Sequence, residues 1–387
     1  MKVRSGFAML PALLLGAWAS HAQDAEPQRE AELRLAGEFL IPPKTTFPEL
    51  GASRFGAISG IATLPGGCEL LAISDDDQDS RVYRMQVSGT GSTLQVRPIR
   101  EIRLEHSASA PSTLDPEGIA LTTAGTILIS SEGAGNVEPR LPPAILEYRA
   151  DGRFLRQLPV PPRFAPNARG PLRTGTRRNG GFESLAMTAG FKRFYTANEL
   201  PLVQDGPDAP FTPGQRVRIV EYLDDGKGYA PAREFAYELA PLEQPTFPSG
   251  LTVNGLVELL QVEGDEFLAL ERGFIQSRGG RFGLNRIRLF RISLSGATDV
   301  STIDALAGQK DVIPVRKTLV QDFSALAGRS LRLLNLENFE GLAWVGKGRG
   351  AERALLTVSD DNFNALQVTA FLLLEPAASA VRSPACP

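Results

Sequence analysis

The chain has 387 residues, 42% hydrophobic and 22% charged, which excludes a disordered polymer and fits several domains or one large all-β domain. Lys and Arg number 41 against 44 Asp and Glu, a formal charge of −3, without the basic excess of a nucleic-acid binder. Two Cys and two His exclude zinc fingers, iron–sulfur clusters and His-rich metal centres, while 38 Gly and 29 Pro favour short strands and turns over long helices.

The first residues carry Lys2 and Arg4, then an apolar run from Phe7 to Ala19, then small residues at Ser20-His21-Ala22. This pattern predicts a secretory signal peptide over residues 1–22, with an apolar run too short to span a bilayer. The remainder, 23–387, reads as one domain, secreted or periplasmic, monomeric and without a membrane span. It keeps one histidine, His106. In an oxidising compartment Cys68 and Cys386 could pair; otherwise they are two separate thiols.

From residue 32 onward the chain reads as repeated strands. ELRLAGEFLIP opens it. A short pattern then recurs: Ile58-Ser59-Gly60-Ile61-Ala62, Pro116-Glu117-Gly118-Ile119-Ala120, Phe182-Glu183-Ser184-Leu185-Ala186, the weaker Val253-Asn254-Gly255-Leu256-Val257, and Phe339-Glu340-Gly341-Leu342-Ala343. After each copy comes a second apolar strand ending in acid (LLAISDD, TILISSEG, RFYTANE, FLALERG, LLTVSDDN), then a third, and in four units a fourth. Four antiparallel strands per unit, repeated in a ring, predict an all-β β-propeller, five-bladed, with six blades possible if two units are merged. The fifth unit lacks a fourth strand, and the N-terminal strand can supply it and close the ring. A Cys68–Cys386 bridge would staple the same seam.

In such a blade the first strand lines the channel, and its start lies beside the end of the second. Glu117 then faces Glu132. Asp75 and Asp76 lie near Ser59, Glu199 near Glu183, Glu271 near Asn254, and Asp360 and Asp361 near Glu340. Like charges gathered at one mouth need bound cations or interleaved Arg and Lys. Many hard oxygens suit Ca²⁺. Arg81, Arg140, Arg178 and Arg272 follow the acidic strand ends and are candidate anion-binding groups. The same repeats can equally brace blades and cap turns.

SGIA…ISDD, DPEGIA…SSEG, GFESLA…NE, LERG and NFEGLAW…VSDDNF resemble exported phytase-like proteins, the family with esterase-like activity of phytase, from about Phe55 to Leu374. The resemblance implies a β-propeller. By analogy with alkaline propeller phytases, which have six blades, it also implies Ca²⁺ in an acidic channel and hydrolysis of phosphomonoesters. On this reading Glu117, Glu183 and Glu340 are catalytic candidates. Asp75, Asp76, Glu132, Glu199, Glu271, Asp360 and Asp361 are metal-ligand candidates, and the substrate is a small anion or ester. Two alternatives stand beside it. One is a carboxylic-ester or lactone hydrolase; a serine version would need His106 as base and has no Gly-x-Ser-x-Gly elbow. The other is a ligand-binding propeller without catalysis.

Overall fold

The computed structural model describes residues 33–76, 79–105, 114–327, 336–346, 353–377 and 386. The expected signal peptide, residues 1–22, and His106 lie outside these residues. Twenty strands form five four-stranded antiparallel sheets. Blade one holds β2 (Ile58–Thr63), β3 (Glu69–Ser74), β4 (Arg81–Ser88) and β5 (Gln95–Arg103). Blade two holds β6 (Pro116–Leu121), β7 (Ile127–Ser131), β8 (Ala144–Tyr148) and β9 (Phe154–Leu158). Blade three holds β10 (Ala186–Met187), β11 (Arg193–Ala197), β12 (Arg216–Asp224) and β13 (Tyr229–Glu238). Blade four holds β14 (Ser249–Glu263), β15 (Glu266–Ser277), β16 (Gly283–Ser293) and β17 (Arg316–Asp322). Blade five holds β18 (Asn338–Val345), β19 (Ala354–Asp360), β20 (Thr369–Pro376) and β1 (Leu33–Ile41).

Within each blade the chain steps outward from the first strand. The inner strands β2, β6, β10, β14 and β18 contact one another in succession, and β18 returns to β2, so the array is a closed five-bladed propeller. As the sequence predicts, β1 completes the last blade, pairing with β20 from Leu33↔Pro376 to Ile41↔Thr369. This pairing fastens the first described strand to the last and gives blade five the fourth strand its companions have, with β1 as its outer edge. Cys68 is bonded to Cys386, and the Gly89 N–H donates to the Cys386 carbonyl at 3.1 Å. The bridge ties the β2–β3 turn to the chain beyond β20.

Apolar alternation places the core between blades rather than along one central axis. Ile58, Tyr83, Val358 and Phe371 pack blade five on blade one. Ile73, Ile119 and Leu146 pack blade one on blade two, and Phe164, Phe182, Phe194 and Tyr222 pack blade two on blade three. Tyr195, Leu256 and Phe267 join blades three and four, and Leu270, Phe339 and Leu355 join four and five. The insertion 294–315 runs beside β13 through an isolated bridge, Phe235↔Asp299. Fully buried Arg218 donates to Asp205 at 2.7 and 2.8 Å and to Glu234 at 2.9 Å, and the insertion docks on the same two residues, the Leu306 N–H donating to the Asp205 carboxylate at 2.8 Å and the Val300 N–H to the Glu234 carbonyl at 2.8 Å.

Cys386→Ser should lower the thermal midpoint by an amount equivalent to about 2–4 kcal/mol, because the bridge closes a long loop of the unfolded chain. Reduced wild type should fall to the same value in a thermal scan; an unchanged midpoint would contradict the bridge as a seam lock.

Candidate functional site

A β-bulge builds the site. In β2, Ile58 pairs with Ser74 and Gly60 with Ile73, which leaves Ser59 as the extra residue. In β18, Phe339 pairs with Ser359 and Gly341 with Val358, which leaves Glu340. The same slip falls at Glu117 between Pro116↔Ser131 and Ile119↔Ile129. In blade three it falls between Phe182↔Asn198 and Ala186↔Tyr195, at Glu183-Ser184, which is why β10 begins late. A bulge frees one residue from the ladder and re-aims its side chain. The motif acid occupies that residue in blades two, three and five.

Blade four departs from the sequence reading. Its bulge lies between Leu256↔Glu271 and Glu258↔Leu270, so Val257, not Asn254, stands at the Glu position. Asn254 pairs with Gly273 in an extension that runs to Ser249↔Ser277. There its amide donates to the Ala240 carbonyl at 3.0 Å. The same register puts Glu271 where Ser74, Ser131, Asn198 and Ser359 stand in the other blades. It puts Arg272 where Asp75, Glu132, Glu199 and Asp360 stand. Blade four therefore supplies a cation at the strand end where its four companions supply acid.

The acids converge. Glu117, Glu132 and Glu183 offer oxygens within 4.8 Å of one another, as do Asp75, Asp115 and Glu117. Glu117, Glu132, Glu183, Glu199, Glu340 and Asp360 are all buried, with Asp75 and Asp115 partly so. Asp115, which sequence reasoning passed over, joins the group because the Glu132 N–H donates to its carbonyl at 3.0 Å. Its signal is the Asp-Pro step immediately before the Glu117 bulge. Arg272 donates to Glu199 at 2.9 Å and lies 3.3 Å from Glu340.

Burial, then mutual repulsion, pushes these carboxyls up. Glu132 rises to about 8, through burial and then Glu199 and Asp115. Glu199 rises to about 7 through burial, with Arg272 opposing. Glu117 is raised by burial and then by Glu183 and Asp75; Glu183 by burial and then by Glu132 and Glu199. Asp75 and Asp360 are raised by burial first and by neighbouring acids second. Asp75 bonds to Asp115 carboxyl to carboxyl, and Glu132 to Glu183 likewise. Each such pair needs a shared proton or a cation between its oxygens. Arg272 holds its charge because Glu340 and Glu199 outweigh the cost of its burial.

Other expected residues are used elsewhere. Asp76 pairs with Arg81 at 3.0 Å, and Arg81 is buried against Asp79 and the Tyr83 hydroxyl. Asp361 accepts from the Ala57 N–H at 2.7 Å and the Phe363 N–H at 3.0 Å, bracing the turn between blades five and one. Glu271 is fully buried under Tyr237, the Ala240 N–H, Arg288 and Lys317. It misses the mouth because strand alternation turns it to the blade interface while Arg272 faces the acids. Arg140 donates to the Asn167 and Gly170 carbonyls, holding the 161–180 loop, and Arg178 is exposed beside Gly135.

The raised carboxyls give a pH dependence. A carboxyl whose folded pKa exceeds its unfolded value stabilises the fold below the unfolded value, and that stability is lost as pH rises through the folded one. For Glu132 the window runs from 4.5 to about 8. With a chelator present, the thermal midpoint should fall across this window. Glu132→Gln, which mimics the protonated acid, should raise it at pH 8 by about 4 °C or more and barely move it at pH 5. A pH-independent gain would contradict the assignment.

A family model described as Phytase-like, esterase-like activity of phytase, matches residues 53–363, and the chain belongs to this family. Among curated proteins, no sequence matches it. An endo-arabinase from Bacteroides thetaiotaomicron superposes with a TM-score of 0.44 at 10% identity, over 89% of this chain and 99% of that one. The catalytic domain of an alpha-L-arabinofuranosidase from Coprinopsis cinerea superposes with a TM-score of 0.39 at 8% identity, over 90% and 98%.

Proposed function

We propose that this phytase-like propeller is an exported hydrolase that binds Ca²⁺ in its acidic mouth and hydrolyses a phosphomonoester there. The observation that carries the reading is the set of Glu117, Glu132 and Glu183 oxygens within 4.8 Å of one another, adjoined through Glu117 by Asp75 and Asp115. This donor set fits a hard cation that takes six to eight oxygens. The paired carboxyls fit it too, since a cation can replace the proton each pair requires. A neutral oxygen is also available: Ser59 Oγ, at the position that holds Glu in blades two, three and five, is buried with no hydrogen-bond partner.

Bound there, the ion would supply Lewis-acid polarisation of an ester oxygen and a bound water of lowered pKa. The chain's own residues do the rest. Arg272, held by Glu199 and Glu340, is a fixed guanidinium for a phosphoryl oxygen. Glu132, pushed up to about 8 in the ion-free mouth, gives up its proton as the cation enters and becomes one of its oxygen ligands. Arg272 alone does not offset the surrounding acids, so an anionic substrate enters only with the cation in place. Export is supported by the leader-like residues 1–22, outside the described residues, and by the Cys68–Cys386 bond.

One observation favours carboxylic-ester or lactone hydrolysis as a second reading. The blade-four extension beyond Arg272 carries Leu251, 59% exposed, and Phe282, 51% exposed, with Phe282 edge-on to Phe247 at 4.9 Å. This wall suits a substrate with an apolar group more than a densely charged one.

Phosphate release from phytate and from p-nitrophenyl phosphate, with calcium and with a chelator, tests the first reading. The expected result is calcium-dependent release that Glu183→Gln reduces by about a hundredfold or more. Absence of release in both conditions, with turnover of p-nitrophenyl butyrate or a γ-lactone, would replace it by the second.

A further inference from the structure

The end of the channel opposite the acids has contrary chemistry. The inner strands run from the acidic mouth to this face. Here Thr63 ends β2, Leu121 ends β6, Phe191 lies in the turn after β10, and Gly346 follows β18. These elements line a cavity of about 930 Å³ that extends between blades one and two. Its volume is within the range of small-molecule sites, about 300–1,000 Å³. Leu71, Ile102, Leu121 and Ile127 give it apolar walls, and no Asp or Glu is among its described lining residues.

Three arginines complete the lining: Arg84, Arg100 and Arg353. Glu69 engages Arg84. Among the described residues no carboxylate pairs with Arg100 or Arg353. Arg353 is partly buried, its guanidinium lies 5.9 Å over the Trp344 ring, and its Nε is buried without a hydrogen-bond partner. Burial lowers its pKa, with no acid to oppose the shift. A guanidinium removed from water without a counter-charge is costly, and an anion that reaches it recovers that cost. Apolar walls recover more if the anion carries an apolar body.

We propose that this cavity binds a small amphipathic anion, a carboxylate-headed molecule with an apolar body, the head on Arg353, with the exposed Arg100 adding positive charge to the lining, and the body against Leu71, Ile102, Leu121 and Ile127. The site is separate from the acidic mouth and opposite to it in charge.

Titration calorimetry of the full chain with decanoate tests this. One saturable site is expected, with acetate, which lacks the body, and decanol, which lacks the charge, each binding at least about tenfold more weakly. Arg353→Gln with Arg100→Gln should weaken decanoate by about tenfold or more, Arg353→Lys should keep most of the affinity, and Arg97→Gln, on the same outer strand, should change nothing. The proposal is overturned if wild type shows no saturable decanoate binding, if decanol binds as well as decanoate, or if the double variant matches wild type. The comparison of decanoate with decanol and acetate needs no variant, so it stands even if a substitution fails to fold.

Discussion

Closing a ring with only five blades forces the inner strands together, and the motif glycines are what permits the approach. A Cβ on Gly60 would lie 2.5 Å from the Glu117 carbonyl of the next blade; on Gly118, 2.4 Å from the Glu183 carbonyl. On Gly341 it would press Ile61 of blade one at 3.2 Å. Ser130 fastens one such junction, accepting from the Gly118 N–H at 2.7 Å and donating to the Glu183 carbonyl at 2.8 Å. Between blades four and five the solution differs. Glu258 holds the glycine position, and its buried carboxylate accepts from the Leu259 and Leu342 N–H groups. Bulge and glycine act as one device: the bulge frees the preceding residue from the ladder, and the glycine lets the next blade close over it.

The acidic mouth is a consequence of that device. Three of the five freed positions carry Glu, and four of the five neighbouring strand ends carry Asp or Glu. The fold can gather them because it is held by interfaces elsewhere, by apolar packing between blades and by the β1–β20 seam. Such a cluster does not stabilise the protein by itself. It stores a demand for protons or cations, so the fold's stability depends on what satisfies that demand. The exception, Arg272, makes the ring asymmetric, a single cation set against Glu199 and Glu340.

Most of the architecture was legible in the chain. The recurring apolar-Glu-Gly-Leu-Ala pattern and the acidic strand ends located the inner strand pairs, and the missing fourth strand of the last unit pointed to closure by the N-terminal strand. Register within blade four was not legible. Val253-Asn254-Gly255-Leu256-Val257 imitates the motif, yet its Asn254 lies three residues upstream of the bulge at Val257, because β14 and β15 extend beyond the mouth. The same extension hid the exchange of roles between Glu271 and Arg272. Asp115 was missed because it precedes its strand. The partners of Arg81, Arg140 and Asp361 depend on loop geometry that no spacing rule encodes.

The proposed cation site of the mouth holds protons on its carboxyls when no ion is bound. Calcium titration calorimetry on the chelator-treated protein near pH 7, repeated in buffers of different ionisation enthalpy, tests it directly. Saturable calcium binding is expected, with release of at least about one proton per ion, since Glu132 and its neighbours must lose their shared protons. Absence of binding, or binding with no proton released, would contradict it.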